Sequence, residues 1–292
     1  MKILIAVDGS EHSNAAVSFL TQLQFADPIE TSLVTVSNPP DIALNAASEF
    51  WYPEYLTHQQ EFTDAAFTKA IEILGDSGIK ADSETLRGHI GDAIVKHASD
   101  IDADMVIVGA KGHTAVGRIL LGSVSDYVAT HAPCDVMVVR PMQSDAEHLK
   151  LTLAYDESDA SKSVLDAYWT VKWQPETDAQ VVTAAPKLEI FHEEISPSTE
   201  KETEQRLLNA RATAESGKQA LIDACEGTPH KIASHGVATE HIGEGILHAA
   251  EDHVSDLIIV GDAKRGTLTR WLLGSTSRYV LRHATQSVWI AR

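Results

Sequence analysis

The sequence is short of most features that mark a metal, redox or membrane protein. It has two cysteines in 292 residues, Cys134 and Cys225, with no paired spacing for a thiolate metal site or a redox couple, and this suits a reducing cytoplasm. No apolar run approaches the roughly 18 residues that span a bilayer, so no membrane partner is expected. The run Ile3–Val7 is halted by Asp8 and lacks a cleavage site. It is too short for a secretory segment and reads as a first strand, so the expected location is cytoplasmic. Cations are scarce as well: 23 Lys and Arg against 42 Asp and Glu leave a net charge of -19. Such a surface repels phosphate backbones and argues against nucleic-acid binding. The 14 histidines include no His pair spaced four apart around a helical Glu, and neither a Gly-x-Ser-x-Gly elbow nor a Walker Lys-Ser/Thr pair occurs. Metalloprotease, serine-esterase and P-loop chemistry therefore lack their sequence signatures. With 43% hydrophobic and 22% charged residues, the chain has ample apolar material for packed cores.

Acid itself is missing from two stretches. Met105 to Ser125 contains no Asp or Glu but holds Lys111 and Arg118. Ala263 to Arg292 is also free of acid and holds Lys264, Arg265, Arg270, Arg278, Arg282 and Arg292. Keeping positive charge in two places on an acidic chain suits an anionic small ligand. Both stretches have the same plan. Val106-Ile107-Val108 runs into Gly109, Gly112 follows, and Leu120-Leu121-Gly122-Ser123 precedes a helix-like run from Val124 to Thr130. Likewise Leu257–Val260 ends in Gly261, passes Lys264 and reaches Leu272-Leu273-Gly274-Ser275. Glycines at a strand end permit φ > 0 and close approach of a ligand to the main chain. A Ser at a helix start caps it, and the free N–H groups there favour an anion. The combination predicts a phosphate cradle.

In chain order, short Ile/Leu/Val-rich runs alternate with helical patterns. Strands are expected at 2–7, 32–37, 80–86, 105–108 and 135–139, and helices at about 10–23, 58–74, 92–99 and 124–130. Residues around Phe50-Trp51-Tyr52-Pro53 are expected to lie in a long connection. This alternation predicts an α/β fold with a parallel sheet and right-handed crossovers. The order then repeats. Leu149–Asp156 answers Ile3–Asp8 at an offset of 148, and His241-Ile242-Gly243-Glu244 answers His89-Ile90-Gly91-Asp92 at an offset of 152. Leu120–Ala132 answers Leu272–Ala284, with Tyr127/Tyr279 and His131/His283 in register. A near-constant offset identifies a duplication. Two domains are expected, 1–142 and 148–292, joined by a short polar segment. The His-Ile-Gly pairs follow the third strand of each half and read as turn and helix-start residues. Cys134 is expected to be a small buried filler.

The Val-Asp-Gly-Ser start, the Gly-x2-Gly-x9-Gly-Ser pattern and the closing His-Ala-Pro-Cys-Asp-Val-Met-Val-Val-Arg resemble the universal stress protein family in its tandem form. The resemblance covers essentially the whole chain. It implies two tandem Rossmann-like (adenine nucleotide alpha hydrolase-like) domains with strand order 3-2-1-4-5. In one branch it implies ATP, with Mg²⁺ bridging its phosphates, at the carboxyl edge of the sheet. Carried over to this sequence, Asp8, with Gly9 and Ser10 after it, matches the adenosine end, and Val36 matches a backbone contact to adenine. Gly109 and Gly112 match the ribose and phosphate loop, and Gly122, Ser123 and Val124 match the phosphate-binding helix start. Lys111 and Arg118 are added on electrostatic grounds.

The second half keeps Asp156, Gly261, Gly274 and Ser275, but Lys264 stands where Gly112 does and Glu157 replaces Gly9. A non-glycine residue with φ > 0 would cost roughly 1 kcal/mol. The first domain is therefore expected to hold ATP and the second to bind it more weakly, to take another ligand, or to bind nothing. The resemblance implies a stress-response sensor or regulator with protein partners unknown, an internal pseudo-dimer and room for a homodimer. Slow ATP hydrolysis or autophosphorylation, with Ser123 as one acceptor, is one alternative, although no base is placed to activate water. A nucleotide-independent interaction module is the other.

Overall fold

A computed structural model describes residues 1–38, 48–75, 77–113, 121–142, 148–187, 197–224, 231–262 and 273–292. The chain divides into two compact units, Met1–Leu23 with Asp27–Pro141, and Gln24–Ala26 with Met142–Arg292.

The first unit runs β1 (Lys2–Ala6), α1 (Glu11–Thr21), β2 (Glu30–Ser37), α2 (Ser48–Leu74), β3 (Ala81–Arg87), α3 (Ile90–Asp100), β4 (Met105–Gly109), α4 (Ser123–His131) and β5 (Asp135–Val139). Its strands pair in parallel in the order β3-β2-β1-β4-β5. The second unit runs β6 (Lys150–Ala154), α5 (Asp159–Trp169), β7 (Asp178–Pro186), α6 (Pro197–Asp223), β8 (Lys231–Thr239), α7 (Ile242–Asp252), β9 (Leu257–Gly261), α8 (Ser275–His283) and β10 (Ser287–Ala291). Its order, β8-β7-β6-β9-β10, is the same arrangement and again parallel. Both halves thus realise the 3-2-1-4-5 order.

The short unalternating runs become strands because helices cover both sheet faces. Leu4, Ile5, Val106, Ile107, Val136 and Met137 are all fully buried in the first unit. Their counterparts Leu151, Leu153, Ile258, Ile259, Val288 and Trp289 are fully buried in the second. Each such side chain contributes about 1.5–3 kcal/mol by leaving water. One expectation fails here. The segment with Trp51, Tyr52 and Pro53 belongs to α2, which begins at Ser48 rather than near residue 58. Pro53 lies inside that helix, in its second turn, where its missing N–H removes one intrahelical bond. Cys134 is half-buried rather than buried, and Cys225 lies outside the described residues.

The His-Ile-Gly pairs have a packing role beyond starting α3 and α7. A Cβ on Gly91 would lie 2.6 Å from the Tyr127 ring, and one on Gly243 would lie 2.6 Å from the Tyr279 ring. Each glycine makes room for a tyrosine of the neighbouring helix, and each tyrosine stacks on the histidine one turn later (Tyr127–His131 and Tyr279–His283).

Candidate functional site

In the first unit β1 lies between β2 and β4, and its last pairs are Ala6 with Val34 and with Val108. The chain leaves β1 towards α1 and β2, and β4 leaves towards α4. This divergence at the carboxyl ends of adjacent strands opens the crevice of an open α/β sheet. Asp8 through Ser10, Gly109 through Gly112, and the start of α4 come together there.

Asp8 is fixed by local geometry. Its backbone N–H donates to Ser13 Oγ at 3.1 Å, and its Oδ1 accepts the Ser10 N–H at 3.0 Å. Gly9 supplies the turn with φ +75°. Ser10 is the N-cap of α1: its Oγ accepts the Ser13 N–H at 3.2 Å and donates to the Lys111 carbonyl at 3.3 Å. That last bond ties the β1 turn to the glycine loop. A second tie comes from His113, whose Nε2–H donates to the Asp8 carbonyl at 2.8 Å while its ring packs on Phe62 of α2. Sequence reading did not single out His113, which lies directly after Gly112, within the acid-free stretch.

The two loop glycines serve different ends, and neither has a positive φ. A Cβ on Gly109 would lie 2.6 Å from the His12 carbonyl carbon and 2.7 Å from the Ser13 nitrogen, so this glycine lets the start of α1 seat on β4. A Cβ on Gly112 would lie 2.7 Å from Asp8 Oδ2, so this one keeps the acid in place. The expectation that the Gly112 position needs φ > 0 is therefore corrected: what it needs is space beside a carboxylate.

Val36 points its peptide groups into the crevice. Val34 carries the same orientation, two residues earlier on β2, and its carbonyl accepts the Val7 N–H at 2.8 Å. Because β1 has ended by then, the equivalent groups of Val36 have no strand beside them.

At the other wall, Gly122 rather than Ser123 is the N-cap of α4, and no side chain caps it. Ser123 and Val124 are the first two helical residues, and their N–H groups have no acceptor among the described residues. A helix start of this kind accepts an anion. The cap is anchored by the Ala110 carbonyl, which accepts the Gly122 N–H at 2.7 Å and Ser125 Oγ–H at 2.8 Å. Lys111 is half-buried beside it, and Arg118 lies outside the described residues. The local charge registers on His12, whose pKa is lowered from the usual 6.5 by burial and then by Lys111, with Arg140 adding to the effect against Glu11 and the Val139 carbonyl. Arg140 is itself buried, and burial lowers its pKa to about 10.

The second unit keeps the frame but alters the fittings. Asp156 Oδ1 accepts the N–H and hydroxyl of Ser158, which caps α5. Glu157 takes the left-handed turn with φ +64° where the first unit has glycine. Gly261 is even tighter than Gly109, its Cβ position lying 1.9 Å from the Ala160 carbonyl oxygen. Gly274 caps α8 and Ser275 begins it. Here, however, the Gly274 N–H donates at 3.1 Å to the side chain of Asp262, which stands where Ala110 does. Lys264 lies outside the described residues.

Two parallel, open-sheet units, each with a glycine loop and a helix start at the strand-divergence point, define a Rossmann-like α/β protein. A profile of the universal stress protein family matches residues 1–140 and 149–292, so the chain belongs to that family as a tandem repeat. It is 34% identical over 140 residues to a putative universal stress protein of Staphylococcus saprophyticus, covering 47% of this chain and 82% of that one. The crystal structure of a universal stress protein from Archaeoglobus fulgidus superposes with a TM-score of 0.64 at 18% identity, covering 100% of this chain and 96% of the other. A putative universal stress protein from Pseudomonas aeruginosa does so with a TM-score of 0.57 at 12% identity, covering 99% and 92%. No helix among the described residues is long and apolar enough to cross a membrane.

Proposed function

We propose that the first repeat binds ATP and that the protein works in the cytoplasm as a nucleotide-responsive sensor or regulator of the stress response. The observation that carries this reading is the uncapped start of α4, set in a stretch without acid, across the loop from Asp8 and Gly112. Phosphates would take the N–H groups of Ser123 and Val124, with Lys111 supplying counter-charge. The adenosine end would lie towards Asp8, Gly9 and Ser10, its base against the exposed peptide edge of Val36. The residues fit such a ligand because Gly112 keeps side-chain bulk out of the loop and the crevice carries donors at one end and a carboxylate at the other. Mg²⁺ would ride on phosphate oxygens and keep much of its water. The tandem repeat fits an internal pseudo-dimer, and regulatory protein partners belong to the same reading.

Calorimetric titration of Mg-ATP into the full chain tests it. The expected stoichiometry is one per chain, lost in Gly112→Lys. Absence of binding, with no nucleotide carried through purification, would refute it in favour of a nucleotide-independent interaction module.

A further inference from the structure

The two helix starts at the repeated sites differ in what they hold. In the first unit the Gly122 N–H is taken by a neutral backbone carbonyl, that of Ala110. In the second, the corresponding Gly274 N–H is taken by Asp262 Oδ1 at 3.1 Å, and the other carboxylate oxygen accepts from Arg292 Nε at 3.3 Å. Both side chains are close to buried, with relative exposures of 10% for Arg292 and 12% for Asp262. The Asp262 N–H still donates to the Ala291 carbonyl at 2.8 Å, as the Ala110 N–H does to Val139, but the Ser277 hydroxyl donates to the Gly261 carbonyl at 2.7 Å where Ser125 reaches that of Ala110. The Asp262 side chain brings a negative charge to the place where the helix dipole favours one.

We infer that Asp262 is a built-in anion set beside the phosphate position of the second repeat, at the N-cap of α8, so that this repeat rejects nucleotides. The inference rests on the reading of the α4 start as the phosphate site of the first repeat. Asp262 is not a conventional helix cap, because it bonds the N–H of the N-cap residue itself rather than those of the first turn. Its position is explained instead by charge: a carboxylate held between Gly274 and Arg292 satisfies both groups internally. An incoming phosphate would meet this carboxylate at close range in a site largely screened from water, where like charges repel strongly.

The test is calorimetry of Mg-ATP with the full chain in five forms: wild type, Lys264→Gly, Asp262→Asn with Lys264→Gly, Ala110→Asp and an Ala110→Asn control. Asn retains an oxygen for the Gly274 N–H and removes only the charge, and thermal melts confirm that each form is folded. Lys264→Gly alone is expected to stay at one ATP per chain and the double variant to gain a second. Ala110→Asp is expected to weaken ATP about tenfold or more relative to Ala110→Asn, since one unit of charge differs at equal size. A second ATP in Lys264→Gly alone, no second ATP in the double variant, or equal weakening by Ala110→Asp and Ala110→Asn would each overturn the inference while leaving the first site standing. No ATP bound by any form would instead remove the reading on which it rests.

Discussion

The two glycines of the first crevice separate stability from binding. At position 109 a methyl group would press on the carbonyl carbon, oxygen and nitrogen of His12 and Ser13 at 2.6, 2.8 and 2.7 Å. Ordinary carbon contacts lie near 3.5–4.0 Å, so the first turn of α1 must move by most of an ångström, and it is backbone that must move. Overpacking of this kind costs about 1–3 kcal/mol. Gly109→Ala should therefore lower the melting temperature of the first unit by roughly 2–12 °C, taking about 2–4 °C per kcal/mol for a unit of this size. At position 112 the obstacle is Asp8 Oδ2, the far end of a side chain. The carboxylate can rotate away at the cost of its bond to the Ser10 N–H, about 1 kcal/mol. Because Gly112 has no positive φ, alanine also reduces unfolded-state entropy there, returning about 0.4–1 kcal/mol. Gly112→Ala should thus melt close to wild type while losing ATP affinity, because Asp8 is displaced from the crevice. Differential scanning calorimetry and nucleotide titration on the same two proteins give the answer. If Gly109→Ala melts like wild type, or if Gly112→Ala loses as much stability as Gly109→Ala, the geometric argument is refuted.

Three further outcomes follow from the same structure. Val254, the exposed residue after the C-cap of α7, has φ +55°, whereas Asp102 holds that place after α3. A β-branched residue is poorly suited to the left-handed region, so Val254→Asn should stabilise the second unit by about 1 kcal/mol in urea titrations, and Asp102→Val should destabilise the first by a similar amount. The His12 pKa lies below its ordinary 6.5, so the unfolded chain takes up a proton that the folded one resists. Stability should then fall as pH drops below about 6.5, and His12→Gln should flatten that part of the stability–pH curve. An unchanged slope would show that His12 does not carry the effect. Gly91→Ala should cost about 1–3 kcal/mol by pushing Tyr127 off α3, and a Gly91→Ala, Tyr127→Leu pair should be strongly non-additive in a double-mutant cycle.

Nearly every strand was legible because buried parallel strands are marked by short, unalternating Ile/Leu/Val runs, the duplication showed in the near-constant offset of repeated motifs, and the strand order came from the family resemblance. The start of α2 was not, because Pro53 and three consecutive aromatics look like a connection in one dimension, while the helix runs on through Pro53 in three. The roles of the glycines were legible only in part. A glycine at a strand end signals close approach, but the sequence does not say whether a ligand, a helix or a carboxylate does the approaching. The structure answers differently at 109, 112 and 91, with α1, Asp8 and Tyr127 respectively. The sharpest omission lies at the edge of a correct observation. The acid-free run of the second half begins at Ala263, and the acid just outside it, Asp262, is the one the fold returns to the start of α8. Counting charge along the chain assigned that helix start a basic neighbourhood. A single carboxylate 3.1 Å from the Gly274 N–H, paired with Arg292, places a negative group at that helix start, because electrostatics is decided by distance and burial rather than by position in sequence.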